Sequence, residues 1–210
     1  MPFSVEQIRR ALARHTPQDI TRDEVSAEAA VALVLAGADG DLALCAIRRA
    51  EFPGDPWSGH MALPGGRASP EDPSPRDVAE RETFEEVGLR LSGEHWIGPL
   101  SDMLVRLGGS GPSMALSEFV YYLGEERPDF LISDEVAEAF WIPLSHLWDP
   151  ANASRLEWQR QGAKALYPAI RYGEHSIWGI TFRVLTLFSD VLDAPLPYLE
   201  EVPGPGRGLG

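Results

Sequence analysis

Residues 74–88 restrict the possible fold more than any other stretch, because both ends of a helix can be read there from the residue types. Ser74 suits the N-cap, where its hydroxyl can accept a hydrogen bond from a backbone N–H, and Pro75 suits the first helical position. Gly88 suits the residue that follows a helix, since glycine adopts left-handed dihedral angles without strain. The pattern predicts one helix that opens after Ser74 and closes before Gly88.

Three carboxylates share one face of this helix. Glu82, Glu85 and Glu86 are spaced i, i+3 and i+4, so they fall within an arc of roughly 100°. The adjoining arc carries residues that suit a protein core, namely Ala79, Thr83 and Val87. Like charges at these spacings repel each other by roughly 0.2–0.5 kcal/mol per pair, and a divalent cation with oxygen ligands would turn that repulsion into coordination. A solvated acidic surface is the alternative interpretation, and the charges alone do not exclude it.

The loop before the helix favours the metal site. Gly65 and Gly66 follow Pro64, and two glycines let backbone amides and carbonyls approach a ligand closely. Such a loop beside an acidic helix predicts a site for phosphate groups that a metal ion bridges to the protein.

These segments together resemble the Nudix box, a loop–helix–loop motif that binds Mg²⁺ or Mn²⁺ and hydrolyses nucleoside diphosphates linked to another moiety. The box begins at Gly65-Gly66 and ends with the run Arg81–Leu89, which matches the second half of the family pattern. Thr83 is the one departure in that half, since it stands where an aliphatic residue is usual. The first half contains one extra residue, so Glu71 and Asp72 are both candidates for its acidic position.

The resemblance implies a fold and a set of roles. The fold is an α/β/α sandwich around a mixed β-sheet. The ligands of Mg²⁺ or Mn²⁺ are Glu82, Glu85, Glu86 and the carbonyl of Gly65, with Glu82 also near the attacking water. Arg81 organises the acidic cluster, which agrees with the ability of a guanidinium to bridge two carboxylates. The implied reaction is attack of water on one phosphorus of a diphosphate, which gives two monophosphates.

The general base is less constrained by the motif. In some Nudix enzymes it is a glutamate from a later loop, and Glu135 precedes the predicted strand around Trp141. We take Glu135 as the candidate base, with a solvated loop residue as the alternative.

The substrate is suggested by the segment upstream of the box. Residues 54–66 are similar to the segment that marks the coenzyme A diphosphatase branch, although Trp57 and Leu63 replace its usual His and Phe. A later segment, Ile177–Thr181, is also similar to that branch. The resemblance implies hydrolysis of coenzyme A or acyl-coenzyme A to 3′,5′-ADP and 4′-phosphopantetheine or its acyl derivative. ADP-ribose, a dinucleotide or a nucleotide sugar is the alternative substrate, and a nucleotide sensor without catalysis is a further alternative.

Four side chains near the box are candidates for substrate binding: Arg48, Arg49, His60 and Arg67. Guanidinium groups present a fork of donors that matches phosphate oxygens. However, 17 of the 18 basic residues are arginine, which indicates a general preference for arginine and favours a solvent-facing position for each of them taken singly.

The composition excludes several classes of protein. The sequence has 18 basic and 32 acidic residues, a net charge of −14, which disfavours binding to nucleic acid or to an anionic membrane. Cys45 is the single cysteine, so a disulfide framework is excluded, and its apolar neighbours predict a buried thiol. The sequence has no apolar run of the roughly 18 residues that span a membrane, and it shows no export signal, so we expect a cytoplasmic protein. The expected partner is a small nucleoside diphosphate derivative, and a homodimer is left open.

The remaining pattern predicts a single domain over residues 1–199, with the box at 65–89 and a flexible, Gly- and Pro-rich tail at 200–210. The predicted elements are a helix at 4–14, a hairpin of 30–36 with 42–47, strands within 96–105, 116–123 and 139–142, a helical turn at 143–147 and a last helix at 178–192.

Overall fold

The computed structural model describes residues 3–22, 25–54, 57–106, 113–160 and 163–199. Its helices are α1 (Val5–Arg14), α2 (Pro75–Val87), α3 (Leu144–Leu147) and α4 (Gly179–Val191), with a 3₁₀ turn at Pro150–Asn152. Its strands are β1 (Ala27–Ala36), β2 (Ala43–Arg49), β3 (Met61–Ala62), β4 (Gly65–Arg67), β5 (Trp96–Pro99), β6 (Met103–Arg106), β7 (Ser113–Tyr122), β8 (Val136–Pro143), β9 (Ala153–Arg160), β10 (Ala163–Tyr172) and β11 (His175–Trp178). The tail predicted at 200–210 lies outside the described residues.

Within these ranges the main sheet is mixed, as predicted. Its strands run in the order β3-β2-β1-β7-β5, while β4 pairs with β1, β6 with β7 and β8 with β2. β1 and β7 are parallel, with Val31 opposite Glu118, and the other pairs in the sheet are antiparallel. The predicted hairpin is confirmed as β1 and β2, with Leu35 opposite Leu44.

Helices cover both faces of the sheet because its central strand is apolar on both sides. Alternate residues of β1, Ala30, Ala32 and Val34, pack in the cluster that contains Val78, Ala79 and Val87 of α2. Leu33 and Leu35 pack instead in the cluster that contains side chains of α1 and α4. The period of two along a strand therefore divides the core into two layers and gives the predicted α/β/α sandwich. Cys45 is fully buried in the layer beneath α2, and burial raises the pKa of its thiol.

The strand predicted within residues 96–105 is two strands, β5 and β6, because the chain between them bonds to another segment. The Ser101 hydroxyl accepts a hydrogen bond from the Gln18 amide at 3.1 Å, and Asp102 accepts one from the Ile20 amide at 3.1 Å. The backbone amide of Asp102 in turn donates to the Gln18 carbonyl at 2.9 Å. These bonds hold residues 101–102 to the segment that follows α1 and interrupt the pairing with β7.

A second sheet, of three strands in the order β11-β10-β9, was not predicted. It precedes α4, which therefore begins at Gly179, one residue later than predicted, and Trp178 ends β11. β11 of this sheet lies beside β3 of the main sheet, and the Thr181 hydroxyl in the first turn of α4 donates to the Met61 carbonyl of β3 at 3.0 Å. In the described part of the chain, no helix combines the length and the apolar character needed to cross a membrane.

Candidate active site

Helix α2 forms as its sequence predicts. The Ser74 side chain accepts a hydrogen bond from the Asp77 amide, and Gly88 follows the last turn with φ 75° while its amide donates to the Phe84 carbonyl. Thr83, the departure from the family pattern, is fully buried, and its hydroxyl donates to the Ala79 carbonyl at 2.6 Å. The threonine hydroxyl therefore has its hydrogen-bond partner within the helix. For this reason Thr83 can stand at a buried position where an aliphatic residue is usual, without leaving a polar atom unpaired.

Arg81 is the centre of the acidic cluster. Its Nε and Nη2 atoms each lie 2.9 Å from an oxygen of Asp72. Its Nη1 atom donates to Glu82 at 2.9 Å and to Glu85 at 3.0 Å, and Nη2 also donates to the Arg67 carbonyl at 3.3 Å. One guanidinium therefore joins three carboxylates and the loop before the helix, which is the organising position that the resemblance implies.

The same contacts identify the acidic residue of the first half of the box. The side chain of Asp72 is 7% exposed and also accepts a hydrogen bond from the Ser69 amide at 2.7 Å, whereas Glu71 is exposed. The hydrogen bonds from Arg81 hold the pKa of Asp72 below its usual range, with the Ser69 amide as the next cause. The Asp72 amide also closes a turn on the Ser69 carbonyl, and the extra residue falls in the eight-residue stretch between Asp72 and Arg81. Of the two candidates, Asp72 is the one that contacts Arg81.

Glu86 faces the glycine loop from inside the protein. Its side chain is 3% exposed and accepts a hydrogen bond from the Gly65 amide at 2.9 Å, while Arg49 Nη1 lies 3.8 Å from its other oxygen. Burial raises the pKa of Glu86 to about 8, with the charge of Glu82 adding to this and the Gly65 amide and Arg49 opposing it. Sequence reasoning placed Glu86 with its exposed neighbour Glu85 and did not predict its burial.

The two glycines are required by close contacts. A Cβ on Gly65 would lie 2.3 Å from the Ala30 carbonyl oxygen, and its φ of 152° already disfavours a side chain. A Cβ on Gly66 would lie 2.3–2.6 Å from the carboxyl atoms of Glu82. Gly65 therefore lets β4 pair with β1, and Gly66 makes room for the carboxylate of Glu82.

The carboxylate of Glu82 lies between Gly66 and the guanidinium of Arg81. Burial raises its pKa, and the charges of Glu85 and Glu135 add to the effect, while Arg81 opposes it. The side chain of Glu135 is exposed, and its backbone carbonyl accepts a hydrogen bond from the Ala50 amide at 2.8 Å, which ties this loop to the end of β2. Because the charge of Glu135 acts on both Glu82 and Glu86, the fold brings this candidate base to the cluster.

The divalent ion implied by the resemblance can be tested against these donors. In the described ranges, no group of three Asp, Glu, His or Cys side chains is already arranged as a metal-binding site. Instead, one guanidinium nitrogen lies between Glu82 and Glu85. The donors still fit a hard cation, because they are carboxylate oxygens, and burial together with the charges of neighbouring carboxylates raises the pKa of both Glu82 and Glu86. A positive charge placed there would be stabilised.

The structure separates the four predicted substrate-binding residues. Arg49 reaches Glu86, and Arg67 follows the glycines on β4 with an exposed side chain. Arg48 instead donates to Glu138 at 2.7 Å. His60 packs against two indole rings, with its centroid 5.3 Å from that of Trp158 and 5.0 Å from that of Trp178. Sequence reasoning missed Trp158, since no motif marks it and its strand was not predicted.

Comparison with known proteins agrees with this geometry. The NUDIX domain matches residues 26–165, more than half of the chain. The mitochondrial coenzyme A diphosphatase NUDT8 of Homo sapiens is 33% identical over 93% of this chain and 80% of that protein. An uncharacterised protein of Schizosaccharomyces pombe is 41% identical, over 54% of this chain and 36% of that protein. The fold is similar to the crystal structure of a MutT/nudix family protein from Enterococcus faecalis, with a TM-score of 0.56 and 17% identity, covering 90% of this chain and 75% of that one. The chain therefore belongs to the Nudix family and is a hydrolase that acts on phosphoanhydride bonds in nucleoside diphosphate derivatives.

Proposed function

We propose that this Nudix hydrolase cleaves the diphosphate of coenzyme A or acyl-coenzyme A, giving 3′,5′-ADP and 4′-phosphopantetheine or its acyl derivative. The observation that carries the proposal is the likeness to the coenzyme A diphosphatase NUDT8, which extends over 93% of the chain. It therefore includes residues outside the box, where substrate choice is decided.

The reaction transfers a phosphoryl group to water. The water oxygen forms a bond to one phosphorus, the bond from that phosphorus to the bridging oxygen breaks, and the water proton passes to a carboxylate. We assign Mg²⁺ or Mn²⁺ to Glu82, Glu85, Glu86 and the Gly65 carbonyl. When bound, the ion offsets the charge of the phosphates and makes water a stronger acid.

The protein's own contribution is to hold the carboxylates in place. Arg81 fixes Glu82 and Glu85 through Nη1 while Asp72 fixes Arg81, and the Gly65 amide fixes Glu86. A group held by several hydrogen bonds needs little reorganisation when the reaction begins. The acidic cluster is thus arranged before the substrate arrives.

Glu135 is the proposed acceptor of the water proton, with Glu82 as the competing position. The side chain of Glu135 is exposed near the acidic cluster, and its backbone carbonyl accepts a hydrogen bond from the Ala50 amide. An exposed carboxylate can pass a proton on to solvent after each turnover, whereas Glu82 is held by Arg81.

Arg49 and Arg67 are the proposed phosphate contacts. Arg49 lies beside Glu86, and Arg67 extends from the strand that carries both glycines. Arg48 is assigned a structural role, because its ion pair with Glu138 joins β2 to β8.

The cytoplasmic location stays a prediction, since the name of the human relative places that protein in mitochondria.

A substrate panel tests the proposal. Purified protein with Mg²⁺ or Mn²⁺ would be incubated with coenzyme A, acetyl-coenzyme A, ADP-ribose, diadenosine polyphosphates and nucleotide sugars, and the products separated by chromatography. We expect 3′,5′-ADP to appear from coenzyme A with the highest kcat/KM of the panel. Fast cleavage of ADP-ribose without turnover of coenzyme A would contradict the assignment.

A further inference from the structure

Four aromatic rings gather on one face of the three-stranded sheet. Trp158 of β9 lies opposite Ala165 of β10, and Trp178 of β11 lies opposite Ala169 of the same strand. Paired residues of antiparallel strands point to the same face, so both indoles lie over β10, where alanines leave room for them. Tyr167, two residues from each alanine, shares that face.

The rings contact each other and His60. The indole centroids of Trp158 and Trp178 are 4.9 Å apart, and the Tyr167 ring lies 5.9 Å from Trp178. His60 packs against both indoles. We call these four residues the aromatic platform.

The platform keeps an accessible surface although its rings pack together. Trp158 is 38% exposed, and none of the other three rings is fully buried. The opposite face of the hairpin is charged, with Lys164 donating to Glu157 at 2.7 Å. The hairpin thus presents an aromatic face on one side and a charged face on the other.

At His60 the platform joins residues 61–67, the segment that contains β3 and β4. The His60 carbonyl accepts a hydrogen bond from the amide of Arg49, the residue whose guanidinium reaches Glu86. His60 precedes Gly65 by five residues, so the chain between them spans at most about 18 Å. The platform therefore flanks the end of the sheet at which the diphosphate would bind.

We propose that the exposed indole of Trp158 stacks on the nucleobase of the substrate, and that His60 and Trp178 hold that indole in position. Planar heteroaromatic rings stack on indole faces with little dependence on base identity, and each such contact typically contributes enough for about a tenfold or larger change in affinity. The proposal requires a nucleoside in the substrate and does not depend on the group beyond the diphosphate. Failure of coenzyme A as a substrate would therefore leave it standing.

The test compares Trp158→Ala and Trp158→Phe with Trp96→Ala in the full chain. Trp96 is the matched control, because it is 37% exposed but lies on β5, at the other edge of the main sheet from β3. The measurements are kcat and KM for the best nucleotide substrate of the panel, and titration calorimetry with AMP and with ribose 5-phosphate as a probe without a base, all with Mg²⁺ present. Thermal unfolding reports whether each variant folds.

We expect Trp158→Ala to raise KM and the Kd of AMP about tenfold, with kcat and ribose 5-phosphate binding close to wild type. Trp158→Phe should restore most of the AMP affinity, since it keeps an aromatic face, and Trp96→Ala should change neither constant. Unchanged AMP affinity in Trp158→Ala would overturn the proposal. Equal losses for AMP and ribose 5-phosphate would also overturn it, because they would show a general distortion of the site.

Discussion

Arg81 donates two parallel hydrogen bonds to Asp72, from Nε and Nη2, both 2.9 Å long. The pair fixes the plane of the guanidinium, so that Nη1 points to the adjacent Glu82 and to Glu85, one helical turn along. A residue of the loop before the helix thus sets the position of carboxylates on the helix. The planar fork of arginine makes this possible, because a lysine ammonium cannot meet two oxygens of one carboxylate and two further groups in fixed directions.

Arg81→Lys should therefore lower kcat by about 100-fold, since small displacements of catalytic groups have effects of this order. The substitution keeps the charge and removes the fork. Steady-state kinetics on the best substrate of the panel would measure the loss. Arg76→Lys is the control, because Arg76 lies on the same helix and pairs with Glu80 at 3.4 Å, outside the cluster. Wild-type turnover in Arg81→Lys would show that charge alone is sufficient.

Gly66→Ala separates activity from stability. The added Cβ would overlap the carboxyl group of Glu82, which is the end of a flexible side chain and can move away. We expect the thermal midpoint to stay near wild type while kcat falls at least tenfold, because Glu82 leaves its place beside the loop. In the control Gly93→Ala, the added Cβ meets no atom within 4 Å, so both quantities should be unchanged. A fully active Gly66→Ala enzyme would contradict the position assigned to Glu82.

The parts of the site that could be predicted from sequence are those set by local chemistry. Ser74 and Gly88 define the ends of α2, and the spacing of Glu82 and Glu85 places them on one face whatever surrounds the helix. The choice of Asp72 over Glu71 could not be made, because an extra loop residue can be accommodated before or after the acidic position. Only the contact with Arg81 decides it.

The burial of Glu86 could not be predicted either, because it depends on a segment other than the helix itself. The Gly65 amide that binds Glu86 belongs to β4, whose pairing with β1 is a contact between distant parts of the chain. The strands β9 to β11 were missed for a related reason. β9 alternates small, charged and aromatic residues without a continuous apolar face, so its strand character comes from pairing with β10.

The carboxyl group of Glu118, which lies away from the active site, should make the free energy of unfolding depend on pH. Both of its carboxyl oxygens are buried and have no hydrogen-bond partner among the described residues. Burial raises its pKa to about 9, the charge of Asp102 adds to this, and Arg183 opposes it. The folded protein therefore keeps a proton that the unfolded chain releases above its ordinary pKa of 4.5, so this group lowers stability as the pH rises from 4.5 to 9.

Glu118→Gln removes that dependence. The free energy of unfolding of the variant relative to wild type should increase between pH 5 and pH 9, by at most about 1.4 kcal/mol per pH unit. Urea unfolding at pH 5, 7 and 9 measures it, and the comparison between two proteins cancels the contributions of other groups. Glu94→Gln, at an exposed position, is the control. A difference between variant and wild type that is constant with pH would mean that Glu118 is charged in the folded protein.

Glu82→Gln tests the central assignment of the site. The amide keeps the size of the side chain and can still accept a hydrogen bond from Arg81, but it lacks the negative charge that a ligand of the divalent ion supplies. We expect kcat to fall by a factor of about 100 or more at saturating Mg²⁺, in the range usual for the loss of one preorganised electrostatic contact. Glu94→Gln serves again as the control. Near-normal turnover in Glu82→Gln would remove Glu82 from the reaction.

Chelation should abolish substrate binding as well as turnover. Residues 51–86 contain nine acidic and three basic residues, so the site repels a diphosphate unless positive charge is added. Titration calorimetry with coenzyme A, or with the best substrate of the panel, should show no measurable heat of binding in excess EDTA and restored binding after addition of excess Mg²⁺. Arg49 and Arg67 are too few to offset the acidic cluster, in which Glu82, Glu85 and Glu86 lie on one face. Tight binding in EDTA would mean that these arginines hold the diphosphate by themselves and that the divalent ion acts only in the chemical step.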